Sequence, residues 1–517
     1  MLDTLLQALL SILNWQHLLA LTAGVMIGLL VGSVPGLSGT LALALMVPIT
    51  YSLSLTVAVV LLTAIYKAST FAGSLTSIMV GTPGTPAAAA TLFDGYTLKK
   101  KGEGLKAVQM SIFSSVTADM LTDIMLLVAI VPMTALALMF GAPEFLILVL
   151  LALISVASIS ETNTGSLIKN LISGLIGLFI AMIGMEALRG SPRYTFGNSD
   201  LLNGIDIMVG VIGLLCLPEV FIQISKRFHK GNEKSNASLT AGGEKAKGLS
   251  WKEGIKAVPT ILRGAVVGGI LGILPGAGPS MGAFLNYQIE HQRSRSRKDK
   301  IKVGKGSIRG VAAAESGNSA VSGANLLPLF SFGIPGDAAA AILIGAFMIH
   351  GITPGPNIME STPEIVYAVI FSLIIANLLL APMAFIYSKF FNIIITKLDT
   401  AILYPIILTI CLAAAYSIRN SMLDVALVFA FGVAGLFIMK AGFSRVAIII
   451  GLILGGLTEL SFGQTLVMGE GSLAILFERP ISLVLLLLTL IIFLIPFITK
   501  LSQKKSQPTS ESEGINQ

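Results

Sequence analysis

The chain has 517 residues, of which 54% are hydrophobic and 12% charged, and its mean hydropathy is +0.86. Soluble globular domains carry about 25% charged residues, so that class is excluded and a polytopic membrane protein is indicated. The net charge of +7 is gathered in a few loops, which excludes a nucleic-acid-binding face and matches cytoplasmic loops under the positive-inside rule.

Residues 1–14 read as a short amphipathic lead-in. With Asp3 and no Lys or Arg they lack the basic start of a cleaved signal peptide. The first crossing spans Leu18 to Val34, where Gly24, Gly28 and Gly32 recur every fourth residue and fall on one helix stripe, open to close approach by another backbone. Pro35-Gly36 stops it. A second helix runs from Leu41 toward Tyr51 and a third from Val57 to Tyr66. The stretch Lys67–Ser77 is too polar and too small in its side chains to face lipid, and it leads into Gly81-Thr82-Pro83-Gly84-Thr85-Pro86. Unpaired backbone is untenable in hydrocarbon, so a re-entrant hairpin in a protein-lined cavity is expected here. A Lys-rich loop (Lys99, Lys100, Lys101, Lys106) precedes a long helix from Val108 to Phe140, with a kink or break at Pro132. Further crossings are expected near 144–160, 168–188 and 205–222. Residues 226–256 read as a flexible, basic, cytoplasmic linker.

The second half opens near Trp251. Its first helix ends at Pro275-Gly276, and a short segment leads to the basic loop 291–309. Glu315–Asn325 occupies the place of Ser69–Ser77, and a broken hairpin through Pro335-Gly336-Asp337 closes the unit. Crossings follow near 363–392, 401–418, 422–440, 445–460 and 481–499, then a polar tail, 503–517, expected to be disordered. Cys216 and Cys411 lie in apolar runs and read as packing residues.

The halves repeat. Gly24, Gly28, Gly32, Pro35 and Gly36 return as Gly264, Gly268, Gly272, Pro275 and Gly276 at a constant offset of 240, and Pro83-Gly84 returns as Pro335-Gly336 at 252. Equivalent loops carry opposite charge: 99–106 is Lys-rich and its counterpart 350–363 has no Lys or Arg, whereas 291–309 is basic and its counterpart 51–56 is not. Equivalent loops on opposite sides mean an inverted-topology repeat. The expected fold is therefore an all-α polytopic membrane protein of two inverted-topology repeats with broken helices and re-entrant hairpins. Residues 1–225 form the first repeat, broken near 35–40 and 67–86, and 257–502 the second, broken near 275–280 and 315–337.

Broken helices meeting at mid-membrane offer helix N-termini to an anion, and unwound carbonyls and hydroxyls to a monovalent cation. The substrate contacts expected on this reasoning are Ser38, Gly39, Thr40, Lys67, Ser69, Thr70, Ser74, Thr82, Pro83, Gly84 and Thr85 in the first half. In the second they are Gly278, Pro279, Ser280, Asn318, Ser319, Asn325, Pro335 and Gly336. Ser316 belongs to the same polar set. Any single Ser or Thr among them reads equally as a helix cap or an interhelix bond. Lys67 reads either as a neutraliser of a carboxylate or as a snorkelling lysine. Glu315, Ser322 and Asp337 are candidates for ion coupling, with a structural cap as the alternative for the two acids. Asp119, Asp123, Glu161, Arg419, Asp424 and Glu459 read as interhelix pairs or interface residues, and His350 as an interface residue. Gly36-Leu37-Ser38-Gly39 also fits the motif of an intramembrane serine hydrolase, which would need a histidine within reach of Ser38; only His350 lies at membrane depth. No zinc spacing, Walker loop or dinucleotide fingerprint is present.

The motifs resemble those of the large membrane subunit of the tripartite tricarboxylate transporters, the TctA family. The runs that carry the likeness are Pro35–Thr40, Ala72-Gly73-Ser74, Gly81–Ala89 with Phe93-Asp94-Gly95-Tyr96, Pro275–Pro279 and Gly333–Asp337, over about residues 15–500. Ala68-Ser69-Thr70 and Ala314–Ser319 depart from the usual family pattern, which puts citrate as substrate in doubt. The resemblance implies a permease of the bacterial inner (cytoplasmic) membrane and an elevator-like mechanism. It implies import of a small carboxylate anion coupled to Na+ or H+, with no other cofactor and no catalysis. The implied partners are a small membrane subunit (TctB-like) and an extracytoplasmic solute-binding protein (TctC-like), with a homo-oligomer possible. The rival readings are a hydrolase using Ser38 and a passive anion channel, which would equilibrate the solute without accumulating it.

Overall fold

Apolar runs of this length can satisfy their backbone in hydrocarbon only as helices or closed barrels, and the computed structural model is helical almost throughout. It describes residues 2–34, 37–159, 167–186, 188–230, 248–297, 301–397 and 400–505. In the first half, α1 (Leu2–Ile12), α2 (Trp15–Gly32), α3 (Gly39–Thr50), α4 (Leu55–Met79), α5 (Ala88–Lys100) and α6 (Gly104–Ala137) are followed by α7 (Ala142–Ile159) and α8 (Leu167–Ala181). A two-stranded antiparallel ribbon, β1 (Gly184–Met185) with β2 (Pro192–Arg193), leads through a 3-10 turn (Ser199–Asn203) to α9 (Ile207–Val211). A π-helical turn (Ile212–Cys216) joins α9 to α10 (Leu217–Lys230).

The second half comprises α11 (Trp251–Ile273), α12 (Pro279–Ser296), α13 (Ile308–Ala324), α14 (Leu326–Phe332), α15 (Ala338–Ile349), α16 (Ile358–Ser361) and α17 (Pro363–Lys397). It ends with α18 (Thr400–Arg419), α19 (Met422–Lys440), α20 (Arg445–Met468), α21 (Ile475–Glu478) and α22 (Pro480–Lys505). Among the described residues, eight helical stretches are long and apolar enough to cross a membrane.

The glycine stripes set the packing. A Cβ placed on Gly28 would lie 2.7 Å from Ala68 Cβ and 2.8 Å from Ile65 O, so α2 lies backbone to backbone on α4. In the second half a Cβ on Gly268 would lie 2.6 Å from Ala320 Cβ and 2.9 Å from Gly317 O, and α11 lies on α13 in the same way. The two copies thus use equivalent glycines for equivalent helix pairs. The halves then interlock: α6 packs along α13, and α17 along α4. A second group is built by α7, α8, α20 and α22, where Gly177 and Gly451 bring α8 and α20 together.

The structure shifts several expected boundaries. Residues 67–77 and 315–324 are regular helix, not broken chain, and the interruptions are confined to 80–87 and 333–337. Both polar segments are buried against protein. Some of their hydroxyls turn back onto their own helix: Ser69 Oγ and Thr70 Oγ1 donate to Tyr66 O at 3.1 and 2.9 Å, and Ser316 Oγ to Ala312 O at 2.6 Å. Others reach neighbouring chain: Thr76 Oγ1 donates to Ser33 O at 2.6 Å and Ser77 Oγ to Ala88 O at 2.8 Å. Helix α6 runs through Pro132 without ending, and α8 stops at Ala181, short of the expected 188. The flanks of the expected linker are helical, α10 to Lys230 and α11 from Trp251, and α22 covers 503–505. The rest of that linker (231–247), Pro35-Gly36, Glu161 and the tail 506–517 lie outside the described residues.

Candidate functional site

Four helix starts meet around a cavity of about 100 Å³. Gly39 and Thr40 come from the first turn of α3, Pro86 and Ala87 from the entry to α5, Pro279 and Ser280 from that of α12, and Asp337 and Ala339 from that of α15. The remaining wall is mid-helix: Tyr66, Ser69 and Thr70 of α4 and Asn318 of α13, with Thr85 from the first interruption. Proline and glycine stop each preceding helix, and short polar residues cap α3 and α15. Ser38 Oγ accepts from Leu41 N at 3.2 Å and is hydrogen-bonded to Thr40 Oγ1 at 2.6 Å; Asp337 Oδ1 accepts from Ala340 N at 2.8 Å.

The interruptions are held by close backbone contacts. Gly84 N donates to Gly73 O at 3.3 Å, and Gly276 N to Gly336 O at 2.7 Å. A Cβ on Gly84 would lie 3.2 Å from Gly32 O, and one on Gly336 3.3 Å from Gly272 O, so each break is seated on the last stripe glycine of its own half. Asn318 Nδ2 donates to Thr70 O at 3.2 Å, tying α13 to α4 across the cavity. Asn325 Nδ2 donates to Tyr66 OH at 3.2 Å, and Tyr66 OH donates to Asp337 Oδ2 at 3.4 Å.

The expected contacts divide on this frame. Gly39, Thr40, Ser69, Thr70, Thr85, Pro279, Ser280, Asn318 and Asp337 line the cavity, and Ser38 caps the helix beside it. Gly84, Pro335 and Gly336 belong to the interruptions that frame it, Asn325 bonds Tyr66 behind it, and Ser319 is buried on α13. Thr82 and Pro83 are exposed and away from the cavity, and Gly278 lines a neighbouring space.

Lys67 does not reach the cavity. Its ammonium, 1% exposed, donates to Asp119 Oδ1, to Asp123 Oδ1 at 2.6 Å and to Ser322 Oγ at 3.2 Å. Ser322 Oγ donates to Asp119 at 2.8 Å, and Asn377 Nδ2 to Asp123 Oδ2 at 2.6 Å. One cation and two carboxylates from α4 and α6 are thereby satisfied with help from α13 and α17, as a buried charge requires.

Glu315 is fully buried in a different setting. Its carboxylate accepts from Thr91 Oγ1 and from Ser115 Oγ at 3.0 Å, and Ser74 and Ser111 face it with hydroxyls that make no hydrogen bond. No Lys, Arg or His among the described residues pairs with it. Four hydroxyls around one unpaired carboxylate form an oxygen cage suited to a monovalent cation or a proton.

Other expectations resolve as contacts between helices. Arg419 grips Asp424 in a fork at 2.9 and 2.6 Å, Arg193 pairs with Glu459, and both cysteines are buried and unbridged. His350 Nε2 lies 3.3 Å from Thr50 Oγ1, at the opposite end of α3 from Ser38. The serine and histidine of the hydrolase reading therefore do not meet.

Sequence reasoning does not single out Tyr66, Thr91, Ser111, Ser115 or Asn377. A signal existed for part of this set. Ser111, Ser115, Asp119 and Asp123 are spaced every fourth residue along the apolar α6 and so mark the face that turns inward.

The family model described as the tripartite tricarboxylate transporter TctA family matches residues 18–450. A relative from Agrobacterium vitis, described as an uncharacterized 52.8 kDa protein in the TAR-I ttuC' 3' region, is 30% identical over 497 residues, covering 95% of each chain. A second from the same organism, described as an uncharacterized protein in the TAR-II ttuC' 3' region, is 30% identical over 250 residues, 48% of this chain and 100% of that protein. No solved structure matches the chain.

Proposed function

The chain belongs to the tripartite tricarboxylate transporter TctA family, and from that premise we propose that it is the large permease subunit of a binding-protein-dependent secondary transporter. It imports a small carboxylate across the bacterial inner membrane. It works with a TctB-like small membrane subunit and a TctC-like solute-binding protein.

The observation that carries the reading is the convergence of four helix starts on one polar cavity. Each start presents the positive end of a helix dipole, equivalent to roughly half an elementary charge; the Asp337 carboxylate already caps α15, and the starts of α3, α5 and α12 favour an anion. In this reading Thr40, Thr85, Ser280 and Asn318 donate to the carboxylates, and Ser69 and Thr70 do so once their hydroxyls turn away from Tyr66 O. Gly39, Gly84, Gly278, Pro279, Pro335 and Gly336 let backbone come close, and Ser38, Ser319 and Asn325 hold the frame. Thr82 and Pro83 gate the exposed side, and Lys67 sets the charge behind the site. The coupling ion, Na+ or H+, sits at Glu315 with Ser74, and Ser322 and Asp337 relay its presence to the cavity through α13 and α15.

Opposite loop charges support an inverted repeat, and the glycine-seated interruptions are the natural moving part of an elevator. Single cysteines at Lys100 and Asn357 should then label from opposite sides of the membrane; labelling from one side would remove the inversion.

The decisive measurement is uptake of labelled carboxylates into vesicles carrying all three components, with and without Na+ and proton gradients. Wild type should accumulate substrate against its gradient. The Ser69→Ala/Asn318→Ala double variant should lose most uptake, and Glu315→Gln should lose its dependence on the ion gradient. Equilibration without accumulation would make the protein a channel and end the proposal.

A further inference from the structure

Beside the polar cavity lies a second space of about 370 Å³ that has Pro86, Pro279, Asp337 and Ala339 as common walls, so the two adjoin. The larger space is walled mainly by apolar residues such as Val156, Leu215 and Phe443, yet Arg445 lines it. The bonding of this arginine is incomplete. Nη1 makes one long hydrogen bond, 3.4 Å to Leu214 O in the π-helical turn, and the guanidinium forms no ion pair among the described residues. Glu219 of α10 accepts from Gln223 Nε2 at 3.1 Å and forms no ion pair with Arg445. A guanidinium has five donors in a fixed fork that matches a carboxylate, and leaving it without an anion in an apolar wall is costly.

The geometry points to the larger space as an anion-binding anteroom, with Arg445 as the group that receives a carboxylate on its way into or out of the polar cavity. This rests on the carboxylate-transport reading and adds a station to it. An arginine here suits anions with two or more carboxylates: one group engages the guanidinium fork while another is free to turn toward the helix starts.

Reconstituted vesicles with all three components, supplied with labelled acetate, succinate or citrate, provide the test. Arg445→Gln should raise the half-saturation concentration for the transported di- or tricarboxylate about tenfold and leave the maximal rate within twofold. Arg445→Lys, which keeps the charge but loses the fork, should fall between the two. Arg445→Cys should behave like the Gln variant and recover on reaction with a cationic ethylammonium thiosulfonate reagent but not with an anionic sulfonate one.

Unchanged half-saturation in Arg445→Gln overturns the inference. So does a fall in maximal rate and heat stability alone, which would mark Arg445 as a brace on Leu214. A third refutation is wild-type dependence on phosphatidylglycerol that vanishes in Arg445→Gln without any change in half-saturation, since the occupant would then be a lipid phosphate. If wild type accumulates none of the three probes, the transport reading fails first. Titration of purified full-length wild type and Arg445→Gln with the same probes still decides the anteroom, which requires tighter binding by wild type.

Discussion

Gly268 and Gly269 are neighbours on α11 that face different surroundings, so adding one methyl to each gives opposite outcomes. A Cβ at Gly268 would sit 2.6 Å from Ala320 Cβ and 2.9 Å from Gly317 O, whereas carbon atoms rest about 3.5–4.0 Å apart. Helices α11 and α13 would have to separate by roughly 1 Å, and overpacking of this kind costs roughly 1–3 kcal/mol. A Cβ at Gly269 would meet Thr122 Cγ2 at 3.5 Å and the Met125 thioether at 3.7 Å, which is ordinary contact. Gly269→Ala also removes a poor helix former, a gain of up to about 1 kcal/mol. Gly268→Ala carries the same gain, so the two variants should differ by the overpacking cost alone, roughly 1–3 kcal/mol. A protein of this size does not unfold reversibly in two states, so the observable is rank order: the temperature at which detergent-purified protein loses monodispersity. Gly269→Ala should match or exceed wild type and Gly268→Ala should fall below it. Equal shifts in the same direction, or a Gly268→Ala variant as stable as wild type, would refute the close α11–α13 approach.

Lys67→Met should be the most damaging change in the charge triad, because it leaves Asp119 and Asp123 buried without their cation, at a cost of about 3–5 kcal/mol. Asp123→Asn leaves a neutral Lys67–Asp119 pair and should be milder; equal melting temperatures for the two variants would contradict the assignment. Asp94 accepts from Gly304 N, Gly306 N and Ser307 N at 2.7–2.9 Å and from Tyr287 OH at 2.8 Å, so it staples the loop ahead of α13. Asp94→Asn should speed limited tryptic cleavage after Arg297 or Lys302 by tenfold or more, since one charged hydrogen bond is worth about 1.5–3 kcal/mol; unchanged cleavage would show that the staple is dispensable.

The positions of the breaks were legible because glycine and proline act locally. Gly24, Gly28 and Gly32 announced a packing stripe, and Pro335-Gly336 an interruption, from their own chemistry. What could not be read was the partner. The composition of Lys67–Ser77 is unlike that of a lipid-facing helix, but its neighbours are α2, α6 and α13, and the hydroxyls of Ser69 and Thr70 are satisfied by the preceding turn. Lys67 was read as a substrate contact because Asp119 and Asp123 lie more than fifty residues away, and nothing in spacing shows that α6 brings them beside it. Arg445 opens an apolar helix and resembles an ordinary interface charge in the sequence; only the cavity beside it marks it out. Thr40 and Ser280 stand at the same offset of 240 as the glycine stripes, and both reach the cavity from the first turn of their helix, whereas Asn318 lies mid-helix and no spacing marks it as part of the wall.

The triad has a consequence for how the protein is made. Its cation and both its anions reside in α4 and α6, which leave the ribosome well before Ser322 and Asn377. A lone charge entering the bilayer centre costs about 3 kcal/mol during insertion. Here the lysine of α4 offsets one of the two carboxylates of α6 as soon as both spans are in place, and Ser322 and Asn377 from the later half of the polypeptide arrive to lock a cluster that already exists.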